Sequence, residues 1–168
     1  MFDLKKPYNL LLIGSIFFLI GLYFLTWNVP FFWDATSKSS RATWLFDHNF
    51  SQWVVPTEIS SGHPPLWELL LATTWKFTDR TIEYSRLLLL LFNIGVYWQL
   101  ILFIKENKLK NVPIFVTILV LVEPTLLAQS TIINNDMMLV FFTFLGLNSI
   151  YKNQKLLYSI ALTGVLFS

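Results

Sequence analysis

The chain has no cysteine, which excludes disulfides and thiolate metal sites. Charge is also scarce. Only 13% of the 168 residues are charged, 12 basic and 10 acidic, against roughly 25% in a soluble domain. So few charges cannot clothe a soluble globule, and disorder needs high charge with low hydrophobicity. The formal net charge of +2 is too small to draw nucleic acid. No glycine-rich phosphate loop, His-Glu-x-x-His pattern or serine-centred elbow occurs. What fills the chain instead is apolar: 55% hydrophobic residues, 16 of them Phe, with a mean hydropathy of +0.58. A bilayer is the solvent that suits this composition.

A membrane-crossing helix needs about 20 apolar residues. Uncharged or nearly uncharged runs at 8–27, 85–104, 112–129 and 137–151 predict four complete spans. A fifth begins at 156 and stops at 168, too short to cross. Glu123-Pro124 interrupts the third run, and the proline would kink it. No small-residue cleavage site follows Trp27, so the first run reads as a retained helix. The segment Pro65–Thr78 is apolar but short and holds Glu68 and Lys76. Reading it as a helix at the interface leaves Lys5, Lys6, Lys105, Lys108, Lys110, Lys152 and Lys155 on one side, in short connections. That side is the cytoplasm, and the N-terminus lies there. Eight of the ten acids then gather on the opposite face. The expected architecture is all-α and polytopic, with short interfacial helices in a long outer loop, 28–84. Loops of that length are usually functional or disordered.

Four places in this pattern can carry chemistry. Asp34 follows the first span, and Lys38 and Arg41 lie four and seven residues on, which would place all three on one helical face. A carboxylate beside cations at the membrane surface suits a base or a metal ligand. The same spacing also suits an N-cap with a surface ion pair. His63 sits in Gly62-His63-Pro64-Pro65-Leu66, at a helix start that favours anions such as phosphate. Arg86 opens the second span, at the depth where a cation either snorkels or meets a lipid phosphate. Asp136 stands at the mouth of the fourth span, as a functional acid or a helix cap. His48, Asp47, Glu58 and Glu68 read as solvated loop or interface residues.

The order of these features resembles the N-terminal part of the GT-C membrane glycosyltransferases. An aromatic-Asp (Trp33-Asp34) follows the first span, then a long loop, then His63-Pro64-Pro65-Leu66. Tyr84-Ser85-Arg86-Leu87 opens the next span. Pro124-Thr125-Leu126-Leu127-Ala128-Gln129-Ser130 follows, with Asp136 six residues beyond. The protein O-mannosyltransferase-like and aminoarabinose-transferase-like families are the nearest in pattern, over residues 8–155. The resemblance implies a polyprenyl-phosphate sugar donor and a lipid, glycan or protein acceptor. It implies a bacterial inner membrane, with the active face periplasmic or extracellular. Asp34 would be the catalytic base or a metal ligand, and Asp136 would assist with metal or donor phosphate. His63 and Arg86 would lie near that phosphate, with Lys38 and Arg41 beside them. A divalent cation, Mg²⁺ or Mn²⁺, would suit the two carboxylates. Relatives often carry Asp-Glu where this chain has Asp34-Ala35. They also have more spans, so residues 1–168 are expected to be the front of a larger enzyme and inactive alone. The competing expectations are a permease or lipid-handling protein, whose ionisable groups would lie near the midplane, and a non-catalytic membrane subunit.

Overall fold

Leucine, isoleucine and phenylalanine runs leave the backbone no partner but itself in lipid, and helices result. A computed structural model describes residues 7–30, 34–52, 54–60, 62, 64–106 and 114–168. It is 77% helical, and the described residues form no strand. In chain order the helices are α1 (Pro7–Thr26), α2 (Asp34–Asp47), α3 (Leu66–Phe77), α4 (Ile82–Glu106), α5 (Ile114–Leu121), α6 (Pro124–Gln129), α7 (Asp136–Tyr151) and α8 (Lys155–Leu166). A 3-10 turn, Thr57–Ile59, interrupts the connection between α2 and α3.

Two of these are long and apolar enough to cross a bilayer. α1 has 20 residues and α4 has 25. At 1.5 Å per residue they extend about 30 and 37 Å, against a hydrocarbon core of about 30 Å. α7 and α8, with 16 and 12 residues, are shorter. The expected third span is not one helix. It ends at Leu121 and restarts at Pro124, because a proline has no N–H to continue the ladder. Glu123 caps the restart, accepting from the Leu126 amide at 2.8 Å, and is exposed.

α4 is the central helix. Half of its apolar stretch is buried, against 17% for α1. Tyr23 Oη, near the end of α1, donates to the Glu83 carbonyl at the start of α4 (3.3 Å), so these two helices run antiparallel. α7 runs parallel to α4. Phe92 meets Phe141, Asn148 Nδ2 donates to both oxygens of Gln99 at 2.8 Å, and Phe103 meets Tyr151. Gly95 permits this approach, since a Cβ there would lie 2.7 Å from Phe141 Cδ2. α8 returns antiparallel to α7, with Gly164 against the ring of Phe142. Its last turn reaches α3, where the Leu66 amide donates to the Phe167 carbonyl (3.1 Å).

One end of the molecule thus gathers the end of α1, the starts of α3 and α4, the connection from α6 to α7, and the end of α8. Against this end lies α2. The faces of α1, α5 and α8 turned away from the core are lined with exposed Phe17, Leu25, Leu119 and Leu156. Such faces suit lipid.

Candidate functional site

α2 is a polar helix in an apolar protein, yet it is well packed. Ala35, Lys38, Ser39, Arg41, Ala42 and Leu45 are all buried. They recur at three- and four-residue intervals, which makes one helical face. α3 supplies the opposing surface with Trp67, Glu68, Leu71, Ala72 and Trp75.

Lys38 and Arg41 share that face, as their spacing predicts, but they reach different partners. Lys38 is 4% exposed, and its ammonium donates to Asn135 Oδ1. This bond joins the first long connection to the one before α7. Arg41 Nη1 meets Glu68 Oε1 at 3.2 Å, and both side chains are enclosed. The expectation of a solvated Glu68 is therefore corrected. Its carboxylate is 1% exposed because α2 brings Arg41 over it. Sequence spacing gave no sign of this pair, whose members are 27 residues apart.

Asp136 is the first residue of α7, a position where a carboxylate meets the positive end of the helix dipole. Asn134 Nδ2 donates to its Oδ2 at 3.0 Å. Arg86 is buried, and both of its terminal nitrogens donate to backbone carbonyls: Nη1 to Thr131 (2.8 Å) and Nη2 to Val29 (2.9 Å). These two bonds use two of the five guanidinium N–H groups. Asp34 heads α2, one turn before Lys38; its side chain lies outside the described residues, as does His63. Gly62, just before that motif, holds a φ of +71°, a conformation that favours glycine.

The structure therefore brings α2 to the mouth of α7 through Lys38 and Asn135, with Asp136 next in the chain. Arg86 meets the same connection four residues earlier, at Thr131. Asn135, Glu68 and Asn93 are participants that sequence reading missed. A polar residue inside an apolar run, such as Asn93, is the one signal that pointed to any of them.

The side chain of Asp34, one of the two carboxylates expected to hold a divalent cation, lies outside the described residues. Among the described residues no three metal-ligating side chains gather. At Asp136 the neighbouring groups are the Asn134 amide and, through Asn135, the Lys38 ammonium.

No curated protein and no solved structure matches the chain. A family model does match, that of the dolichyl-phosphate-mannose-protein mannosyltransferases, over residues 61–165. The matched stretch begins beside Gly62-His63-Pro64-Pro65 and runs through α3 to α8, taking in Arg86 and Asp136; Asp34, Lys38 and Arg41 precede it. Because the match covers well over half of its length, the chain belongs to this family and is a membrane glycosyltransferase of the GT-C type.

Proposed function

We propose that the protein transfers a sugar, mannose on the family's description, from a polyprenyl-phosphate donor to an acceptor hydroxyl. The reaction takes place at the end of the molecule that carries α2 and α3. The observation that carries this reading is the seating of Lys38 on Asn135, which sets the first turns of α2 against the mouth of α7 in a chain of this family.

In this reading Asp34 is the base. It takes the proton of the acceptor hydroxyl while that oxygen forms a bond to the sugar's C1. The bond from C1 to the phosphate oxygen breaks, and the lipid phosphate leaves with the electron pair. In this reading its charge is met by Lys38 and His63. Asp136, held by Asn134, fixes the far wall of the site. The acceptor is a protein, glycan or lipid hydroxyl. The excess of lysine at the other ends of the spans supports an outward-facing site in a bacterial inner membrane. Lys5, Lys6, Lys108 and Lys110, which contribute to that excess, lie outside the described residues.

The test is transfer by the full-length protein in proteoliposomes, with polyprenyl-phosphate mannose labelled in the sugar. The label is expected to leave the lipid and enter a hydroxyl acceptor. Label that stays on the lipid with peptide, glycan and lipid acceptors alike contradicts the reading.

A further inference from the structure

Three polar side chains of α4, Arg86, Asn93 and Tyr97, lie at spacings of seven and four residues that align them on one stripe. Each donates to a backbone carbonyl between Leu121, the last residue of α5, and Thr131. Tyr97 Oη reaches Leu121 O at 2.5 Å, Asn93 Nδ2 reaches Ser130 O at 2.8 Å, and Arg86 Nη1 reaches Thr131 O at 2.8 Å. These carbonyls share a history. α5 ends at Leu121 and α6 ends at Gln129, and the last carbonyls of a helix have no partner within it. In lipid such groups must be satisfied by other protein atoms. The stripe on α4 does this for both ends of the broken span.

Beside Arg86 and Asn93 lies a cavity of about 10 Å³, also lined by Tyr23, Thr26 and Ser130. That is room for about one water molecule. Two buried atoms of its lining residues have no protein hydrogen-bond partner, Arg86 Nε and Asn93 Oδ1. One is a donor and the other an acceptor. A water in the cavity would accept from Nε–H and donate to Oδ1.

We infer that Arg86 is a positioning residue. With Asn93 and one buried water it braces the connection from Ser130 to Asp136, and it does not hold the donor phosphate. Arg86 is 5% exposed, and each terminal nitrogen donates to a backbone carbonyl. The braced segment runs directly into Asn135, the partner of Lys38, so the brace sets the far side of the site. This inference rests on the transferase reading for its kinetic consequence but not for its structural one.

Two measurements test it, on Arg86→Lys and Asn93→Leu in the intact protein. The first is kinetic, with polyprenyl phosphate as the product inhibitor. Both variants are expected to lose kcat by about tenfold or more, the worth of one hydrogen bond to a charged or buried group. Donor KM and the inhibition constant of polyprenyl phosphate should stay within about twofold. The second is amide hydrogen exchange over residues 129–135, expected to quicken in both variants by about tenfold. An Arg86→Lys protein whose inhibition constant rises tenfold or more, with exchange unchanged, makes Arg86 a phosphate ligand and overturns the inference. If the parent protein transfers no sugar, the proposed function falls, while unchanged exchange in Asn93→Leu would still overturn the brace. Should Arg86→Lys fail to fold, Asn93→Leu decides the matter by the same two readouts.

Discussion

Two charges taken out of water hold together only while both are present. Arg41 and Glu68 are such a pair, at 3.2 Å with side chains 7% and 1% exposed. Removing one partner leaves the other buried without its counter-charge, at a cost of about 3–5 kcal/mol. Glu68→Ala should therefore destabilise the protein by about that amount in denaturant unfolding, with Glu68→Gln less affected. Replacing the pair together, as Arg41→Met with Glu68→Leu, should restore most of the loss, because desolvation offsets much of a buried pair's attraction. A double variant as unstable as Glu68→Ala would mean that each residue matters for its other contacts instead. Lys38 Nζ donates to the Asn135 amide oxygen, at the junction of α2 and the mouth of α7. The proposed reaction assigns it to the leaving phosphate.

Among the elements, the ones fixed by composition were readable in advance and the ones fixed by distant partners were not. The apolar runs at 8–27 and 85–104 correspond to α1 and α4, and 137–151 to α7, within a few residues. The stretch after Asp34 is a helix as its pattern predicts, ending at Asp47. The third span was read as one element with an interruption, whereas Pro124 divides it into two short helices. The sequence shows the proline but not what makes the break tolerable, since Tyr97, Asn93 and Arg86 come from another helix. Asp34 and Asp136 stood out because acids beside apolar runs are rare. Asn135 did not, because its partner is 97 residues away and no local spacing encodes that. The restart of the third span carries its own test. Glu123 accepts from the Leu126 amide, so Glu123→Ala should speed hydrogen exchange at that amide while leaving α5 unchanged. Equal exchange in both proteins would show that Pro124 alone sets the start of α6.

At the scale of the whole molecule, antiparallel α1 and α4, parallel α4 and α7, and the return of α8 bring the polar helix α2 to one end. The buried polar side chains in the middle of α4 are Asn93 and Tyr97, with no carboxylate, Lys, Arg or His among them, which is not how a pathway for ions is lined. If the lysine-rich ends face the cytoplasm, a single cysteine placed at Lys152 should react with a membrane-impermeant reagent only from that side. One placed at Lys76 should react only from the other. Labelling of both from one side would refute the assigned topology. The central claim is that α2 brings a catalytic carboxylate to a sugar-transfer site, and Asp34→Asn tests it most directly. The change removes one proton-accepting charge and keeps the shape. The account predicts that transfer from polyprenyl-phosphate mannose falls by about a hundredfold or more, the usual worth of a general base, with expression and unfolding temperature unchanged. A folded Asp34→Asn protein that turns over at the parental rate would contradict it.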